Sequence, residues 1–210
     1  MEYHKIETLY ERDEKSFKVK PGVFKNRTYT LLKEWQFTEK IDGTNIRCIW
    51  RNGKLTFGGK TDNAQIHADL IKWLYENVSA EKLTVIFPDC PVIIYGEGYG
   101  AGIQKGGDYS AIKKLIVFDV LVDDRWWLNW ENTCDVAAKL NLDVVPYLGA
   151  MPLEAVTEMV RAGFPSRLGL NPPAEGVVGR PAETLFDKKG HRLIVKLKTK
   201  DFAKEVSPDE

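Results

Sequence analysis

The stretch TEKIDGTNI, residues Thr38–Ile46, places a single lysine, Lys40, directly before an Ile-Asp-Gly turn. Hydrophobic residues on either side predict a strand, a polar turn and a second strand. The pattern fits an ordinary surface hairpin with a lysine on its rim. It fits equally well a turn that presents a chemically special amine, so the deciding observations must come from the rest of the chain.

Composition places the chain among ordinary globular proteins. Its 210 residues fit one sizeable domain or at most two small ones, and we expect one domain spanning 1–210. Of these residues, 43% are hydrophobic and 29% are charged. No apolar run reaches the ~18–20 residues of a membrane helix, and the charged N-terminus has no signal-peptide core. We therefore expect a cytoplasmic protein without a membrane partner. The net charge of zero removes the simple signature of a nucleic-acid binder but does not exclude one, because basic residues cluster between Lys188 and Lys204.

The cysteines argue against two kinds of site. Cys48, Cys90 and Cys134 are far apart, odd in number and without C-x-x-C spacing, which disfavours a disulfide framework or a cysteine zinc site. We expect buried, reduced thiols. The three histidines are scattered as well, so a histidine metal site is not expected.

Hydrophobic patterning predicts an α+β fold of mainly antiparallel sheets with flanking helices. The predicted strands are rich in β-branched and aromatic residues and cover Glu34–Glu39, Asn45–Trp50, Val92–Glu97, Leu115–Val122, Val144–Leu148, Gly176–Arg180 and Arg192–Lys198. The predicted helices are Asn63–Val78, capped within Thr61–Asn63, then Glu131–Leu140 and Leu153–Ala162.

The last predicted strand carries two lysines on one face. Because side chains alternate along a strand, Lys196 and Lys198 point to one side and Val195 and Leu197 to the other. A solvated strand face would explain this pattern. Two neighbouring ammonium groups repel each other, however, and a bound anion such as phosphate would relieve that repulsion.

Two other strands contain candidate site residues. Glu97 ends an otherwise uncharged strand among glycines, where a carboxylate can bind a ribose hydroxyl or a metal, or simply face solvent. Phe118 lies in a wholly apolar strand with Ile116 and Val120 as expected face mates, so it is assigned to the core by default. G-x-x-x-x-G-K-[ST] and G-x-G-x-x-G motifs are both absent, so a nucleotide site would have to be built from dispersed strand residues.

Six short motifs occur in a specific order: EKIDGTN, KT, YGEG, FDV, EGVV and KLK, from Lys40 to Lys198. This order resembles that of the covalent nucleotidyltransferases, which include polynucleotide ligases and messenger-RNA capping enzymes. The E-K-x-D-G-T-N form, with Asn45, is most similar to RNA ligases of the phage RNA ligase 2 type. The resemblance implies a nucleotidyltransferase domain of the ATP-grasp-like ligase adenylation type. It implies no OB fold, because only residues 199–210 follow the last motif.

The resemblance also implies a role for each matching residue. Lys40 would be the nucleophile that takes AMP from ATP, and Lys196 and Lys198 would grip the α-phosphate. Glu175 would organise metal and the reacting strand, and Glu97 would hold the ribose and could also contact the metal. The remaining roles are adenine stacking by Phe118, phosphate contact by Lys60, and support of nucleotide recognition by Glu39 and Asn45.

The implied reaction is ATP-dependent RNA ligation with Mg²⁺ or Mn²⁺. AMP would pass from Lys40 to a 5′-phosphate end of nicked or broken RNA, and a 3′-hydroxyl would then seal the strand. A helper protein or domain could supply strand grip. Three rival functions stay open: a minimal DNA-nick ligase, a capping-type guanylyltransferase that uses GTP, and a non-catalytic RNA-end or nucleotide-binding module.

Lysine chemistry sets a condition for this reaction. With an ordinary pKa of ~10.4, about 1 in 2,500 lysines is neutral at pH 7. Burial and neighbouring cations lower a lysine pKa, and Lys196, Lys198 and a metal would be such cations. We therefore expect the amine of Lys40 to lie near the lysines of the last strand and not in open water.

Overall fold

A computed structural model describes residues 1–104 and 106–202. The strands are β1 Glu7–Thr8, β2 Tyr10–Arg12, β3 Val19–Phe24, β4 Trp35–Lys40, β5 Thr44–Arg51, β6 Lys54–Gly58, β7 Val92–Tyr99, β8 Lys114–Val122, β9 Trp126–Trp127, β10 Tyr147–Met151, β11 Gly176–Arg180 and β12 Val195–Lys198. The helices are α1 Ala68–Asn77, α2 Ala80–Ile86, α3 Trp130–Leu140 and α4 Leu153–Ala162. Within the described residues, every helix is too short or too polar to cross a membrane.

The chain divides into two compact units. Unit 1 comprises Met1–Lys5, Ile41–Pro146 and Arg167–Pro172, and unit 2 comprises Ile6–Lys40, Tyr147–Ser166 and, among the described residues, 173–202. The boundary between Lys40 and Ile41 falls inside the KIDG motif. The prediction of a single domain over residues 1–210 stays a prediction.

Unit 1 is built on an antiparallel sheet in the order β6-β5-β7-β8-β9. One face of the sheet is apolar because alternate residues such as Ile46, Cys48 and Val117 point to that side. This face packs against α1 through Leu70 and Leu74, which are fully buried. The opposite face carries both apolar and polar side chains.

A β-bulge in β8 alters which residues share a face. Tyr95 of β7 pairs with Asp119, whereas the next residue, Gly96, pairs with Val117, so Phe118 is the extra residue. As a result, Val117 and Val120 both join the core beneath α1, while Phe118 packs with the clusters on the other face. The expected pairing of Phe118 with Val120 on one face is therefore wrong, because the bulge shifts the alternation by one residue.

Unit 2 contains a five-stranded sheet in the order β1-β12-β11-β4-β10 and a separate β2-β3 pair. The pairing of β1 with β12 is parallel, and the other neighbours are antiparallel. Trp35, Phe37 and Val177 point from the sheet into a core that α4 covers with Val156 and Val160. Neither five-stranded sheet closes into a barrel within the described residues, and the prediction of an α+β fold with mainly antiparallel sheets is confirmed.

The opening stretch is not a hairpin. β4 belongs to the sheet of unit 2 and β5 to the sheet of unit 1, so the Ile-Asp-Gly segment connects two sheets. The interpretation of Lys40 as a residue on the rim of a surface hairpin is therefore wrong. Ile41 is buried at 2% exposure, which a solvent-facing hairpin turn would not require.

Two elements match their predicted bounds, β11 and α4. The long helix predicted from Asn63 is wrong at its start, because α1 begins at Ala68 and is capped by the His67 ring. Asp62 does not cap a helix, since its carboxylate accepts a hydrogen bond from Arg47. The helix α2 and the strands β3 and β9 were not predicted.

Two other predictions needed correction at their edges. The strand predicted over Val144–Leu148 forms later, as β10, and Val144 makes only an isolated parallel bridge with Val117. The last strand is shorter than predicted and begins at Val195. The expectation of buried thiols holds for Cys48 but is wrong for Cys90, which is exposed; none of the three cysteines forms a disulfide among the described residues.

Candidate active site

The candidate lysines of unit 2 lie on two strands, β4 and β12, which flank β11 in the sheet. Lys40, the last residue of β4, is paired in register with Gly176 at the start of β11. On its other side, Gly176 is paired with Lys198 of β12. A Cβ at Gly176 would collide with the carbonyl oxygen of Leu197, so only glycine allows this close approach of β11 to β12. The strands therefore bring Lys40 and Lys198 to the two sides of one position.

Glu175 joins these two lysines. Its Oε2 lies 2.7 Å from Nζ of Lys40, and its Oε1 lies 2.5 Å from Nζ of Lys198. The side chain of Lys40 is 23% exposed and that of Glu175 is 12% exposed. Lys40 therefore does not face open water, and Glu175 links it to Lys198 of the last strand.

The two lysines keep Glu175 ionised. Burial would raise the pKa of its carboxyl, but the charges of Lys40 and Lys198 and their hydrogen bonds outweigh burial and hold that pKa below its ordinary value. Lys196, two residues before Lys198, shows the opposite balance. Burial, followed by repulsion from Lys198 and Lys40, lowers the pKa of its ammonium group.

The shared face of Lys196 and Lys198 follows from the alternation of β12. Val195 and Leu197 are buried in the core of unit 2, whereas both lysines are partly exposed on the other side, as predicted. The anion beside Lys198 in this structure is the protein's own Glu175 carboxylate. The binding of phosphate between Lys196 and Lys198 stays a prediction.

Glu39 does not join this group. It precedes Lys40 in β4, so its side chain points to the opposite face of the strand. Glu39 is 1% exposed and accepts a hydrogen bond from the hydroxyl of Ser166. Its predicted part in nucleotide recognition stays a prediction.

Three predicted nucleotide residues share one face of the sheet in unit 1. Asn45 of β5 lies directly opposite Glu97 of β7. Phe118, turned by the bulge, packs on the same side with Tyr95 and Ile116. Oδ1 of Asn45 is buried and has no hydrogen-bond partner among the described residues. A buried acceptor of this kind is suited to receive a donor from a ligand.

The glycine of the KIDG motif, Gly43, lies close to a neighbouring strand. Gly43 does not have positive φ, so a special turn conformation does not explain it. A Cβ at Gly43 would collide with the carbonyl oxygen of Gly98 and approach Cγ of Glu97 to 2.9 Å. Glycine is therefore needed for close passage beside the strand that carries Glu97.

Lys60 lies exposed in the loop after β6, and Arg47 organises that loop. Arg47 is 1% exposed, and its guanidinium donates to the Gly59 carbonyl oxygen and to the Asp62 carboxylate, both at 2.8 Å. A Cβ at Gly58 would lie 2.9 Å from the same guanidinium. The site predictions omitted Arg47, although a lone charge within the apolar run NIRCIW was a usable signal.

Tyr3 is a second residue near the site that the sequence analysis does not identify. Its hydroxyl donates to the buried Asp119 carboxylate at 2.7 Å. Its ring lies edge-on to Phe118, with centroids 5.1 Å apart at 78°. Tyr3 therefore supports the predicted adenine-stacking residue from the N-terminal segment, and no sequence pattern near residue 3 indicated this contact.

The described residues contain no cluster of three or more histidine, cysteine, aspartate or glutamate side chains that could hold a metal ion. Both oxygens of Glu175 are engaged by ammonium groups. Glu175 as arranged here is therefore not a free metal ligand, and a protein-only metal cage is not formed by these residues.

A family model described as RNA ligase matches residues 33–198 of the chain. This span includes Lys40, Glu97, Phe118, Glu175 and Lys198. A comparison with curated protein sequences finds no match.

Solved structures of Naegleria gruberi RNA ligase are similar in fold. A variant without ligand has a TM-score of 0.66 at 17% identity over 82% of this chain and 51% of that chain. A variant with AMP and Mn has a TM-score of 0.67 at 18% identity over 93% of this chain and 60% of that chain. A variant with ATP and Mn has a TM-score of 0.65 at 18% identity over 93% of this chain and 59% of that chain. The chain thus spans between half and two thirds of the length of these proteins.

Proposed function

Because the chain belongs to the RNA ligase family, we propose that it is an ATP-dependent RNA ligase. It would adenylylate Lys40, transfer AMP to a 5′-phosphate end and join that end to a 3′-hydroxyl. The family match covers the residues with assigned roles. The Naegleria proteins of similar fold bind ATP, AMP and Mn, which supports the same nucleotide and metal here.

One observation carries the proposal, the placement of Glu175 between Lys40 and Lys198. Two ammonium groups converge on one carboxylate, and Lys196 lies on the same strand face as Lys198. A nucleotide α-phosphate is also an oxyanion that such ammonium groups would bind. We propose that the α-phosphate takes over the contact with Lys198 that Glu175 makes in this structure.

In the first step, Nζ of Lys40 attacks the α-phosphorus of ATP. The ammonium group first loses one proton, which frees its lone pair; Lys40 donates to Glu175 at 2.7 Å, so the carboxylate is placed to accept this proton. A nitrogen–phosphorus bond then forms, the bond to the pyrophosphate oxygen breaks, and the nitrogen loses a second proton to water. Lys196 and Lys198 would stabilise the charge on the phosphoryl oxygens in the transition state.

In the next two steps, the nucleotide serves as an activating group. A 5′-phosphate oxygen attacks the adenylate phosphorus and restores the amine of Lys40. The 3′-hydroxyl then attacks the 5′-phosphate, and AMP leaves with the electron pair of the broken bond. Nicked or broken RNA is the proposed substrate, with strand grip from this chain or from a helper protein or domain.

Nucleotide recognition is assigned to residues of unit 1. Phe118 would stack on adenine, Glu97 would hold the ribose and Lys60 would contact phosphate. Asn45 is supported as a ligand contact by its buried Oδ1, which has no partner among the described residues. Mg²⁺ or Mn²⁺, when bound, would neutralise phosphate charge, with the nucleotide supplying most of its oxygen ligands.

The test is the intact mass of the protein after incubation with ATP and Mg²⁺. We expect a gain of one AMP in the wild type and none in Lys40→Ala. The matched control is Lys72→Ala, an exposed lysine paired with Glu76 on α1, which should still gain AMP. Absence of the adduct in the wild type would overturn the proposal and favour a non-catalytic nucleotide-binding module.

Two further arms of the experiment distinguish an RNA ligase from a guanylyltransferase and from a DNA-nick ligase. A gain of GMP from GTP, without AMP from ATP, would identify a guanylyltransferase. Nicked duplexes of RNA, DNA and mixed strands then report the substrate, and sealing restricted to DNA would identify a DNA-nick ligase.

A further inference from the structure

The loop between β2 and β3 holds a phenylalanine out of the protein. Phe17 is 69% exposed, and its backbone adopts a φ of 58°. A bulky residue with positive φ is an outlier, because its Cβ crowds the backbone in this region. Folding therefore leaves an aromatic ring in water and also places it on an unfavourable backbone conformation.

The turn that carries Phe17 is fixed by hydrogen bonds. Oδ1 of Asp13 accepts from the backbone nitrogens of Lys15 and Ser16 at 3.1 and 2.9 Å. The backbone nitrogen of Phe17 donates to the Asp13 carbonyl oxygen at 3.0 Å. Nη1 of Arg12 donates to the Phe17 carbonyl oxygen at 2.7 Å. These contacts fix the backbone of the turn that carries the ring.

The same loop is attached to the segment that follows the lysines of β12. Nη2 of Arg12 lies 2.9 Å from Oδ1 of Asp201, and Oδ2 of Asp201 accepts from the backbone nitrogen of Lys198 at 3.2 Å. Nζ of Lys18 donates to the Lys200 carbonyl oxygen at 2.7 Å. All these residues lie in unit 2. Phe17 is therefore presented next to the end of the strand that carries Lys196 and Lys198.

The surroundings of Phe17 suit a phosphate backbone. Lys18 follows Phe17 in sequence, and because its ammonium group donates to a neutral carbonyl, that contact does not cancel its positive charge. Two further lysines add positive charge: Lys15 lies two residues before Phe17 in sequence, and Lys200 is the residue whose carbonyl oxygen Lys18 contacts. An exposed aromatic ring with neighbouring lysines is the combination that binds single-stranded nucleic acid, where bases stack and phosphates meet cations.

We propose that Phe17 stacks on an unpaired base of the RNA substrate near the reacting end, while Lys18 contacts the adjoining phosphate. This inference rests on the proposed RNA ligase function, since it names the surface that receives that substrate. It assigns a purpose to an exposed ring in a strained backbone position, which the catalytic residues do not explain.

The test is direct binding of a fluorescent single-stranded RNA with a 5′-phosphate, followed by anisotropy without ATP. Phe17→Gly removes the ring while keeping a residue that accepts positive φ, so the turn remains favourable. We expect Phe17→Gly to weaken binding about tenfold, the scale of one stacked base. Phe17→Trp keeps a stacking surface and should bind within about twofold of the wild type.

Leu31→Ala is the matched control, because Leu31 is an exposed apolar residue of the same unit at 78% exposure. It should bind RNA as the wild type does. The slope of log affinity against log salt gives a second readout. Lys18→Ala should reduce its magnitude by ~0.7, the value for one phosphate contact on a single strand, while Phe17→Gly should leave it unchanged.

Equal RNA affinity of Phe17→Gly and the wild type would overturn the inference, as would equal losses in Phe17→Trp and Phe17→Gly. The AMP adduct is measured separately on the same proteins. A wild type that binds RNA through Phe17 but never gains AMP would overturn the proposed function and leave the RNA surface standing. A wild type that gains AMP but binds RNA without a contribution from Phe17 would overturn this inference and leave the proposed function standing.

Discussion

At the scale of single residues, Glu175 sets the charge state of the candidate site. It is the only carboxylate that the described ion pairs place on both Lys40 and Lys198. Replacing it leaves these two ammonium groups without their shared counter-ion. The change Glu175→Gln keeps the shape of the side chain and removes only the charge.

We expect Glu175→Gln to lower the free energy of unfolding by about 2 kcal/mol at pH 7, the scale of lost hydrogen bonds to charged groups. The folded-state pKa of Glu175 lies below its ordinary value of 4.5. Its stabilisation is therefore complete above pH 4.5 and is lost as the pH falls through the lowered folded-state pKa. Urea unfolding between pH 7 and pH 3 should show the variant and the wild type converging at low pH. A constant difference across that range would contradict the prediction.

Lys196, in contrast to Glu175, should lower the stability of the folded protein, although it is needed for the proposed reaction. Its folded-state pKa lies below 10.5 because of burial and the neighbouring Lys198 and Lys40. Folding therefore favours its neutral form, and stability from this group rises as the pH increases from that lowered pKa toward 10.5. We expect Lys196→Met to raise the free energy of unfolding by about 1 kcal/mol at pH 7 and to reduce its increase at higher pH. We also expect this variant to gain no AMP. A variant destabilised at pH 7 would contradict this account.

At the scale of elements, the strand β5 fixes the loop that contains Lys60 through Arg47. Removing the buried guanidinium leaves the Gly59 carbonyl without its donor and opens a cavity, whereas Asp62 is 81% exposed and stays solvated. We expect Arg47→Met to cost about 2–3 kcal/mol in urea unfolding. Asp62→Asn should cost under ~1 kcal/mol, as for an exposed ion pair.

The effect of Arg47 on ATP use provides a second measurement. If Arg47 positions the Lys60 loop for phosphate contact, Arg47→Met raises KM for ATP in self-adenylylation more than it lowers kcat. A change in stability alone, with KM for ATP retained at a temperature where the variant is folded, would assign Arg47 to folding only.

At the scale of the whole molecule, the cysteines report on one unit. Cys48, Cys90 and Cys134 all lie in unit 1. Cys90 is exposed, whereas Cys48 is 1% exposed and burial raises its pKa to about 12. Because the thiolate is the reactive form, we expect iodoacetamide to modify Cys90 first and Cys48 only after unit 1 unfolds. Mass spectrometry of labelled peptides with and without urea checks this order, and early labelling of Cys48 would contradict the packing described.

Sequence patterns determined the parts of this protein that depend on neighbours along the chain. The α+β class, the bounds of β11 and α4, and the shared face of Lys196 and Lys198 follow from local periodicity, which a single strand or helix expresses by itself. The order of six motifs from Lys40 to Lys198 is by itself enough to indicate the RNA ligase family.

Only the tertiary structure decided the contacts between residues distant in sequence. Which carboxylate sits between Lys40 and Lys198, and which strand each of them meets through Gly176, depends on strand order and register. The side of the sheet that Phe118 faces depends on a bulge that exists only when β8 pairs with β7. The role of Gly43 likewise comes from an approach to Gly98 that no local pattern encodes. Sequence periodicity specifies which side of an element a residue faces, whereas packing of separate elements determines what it meets there.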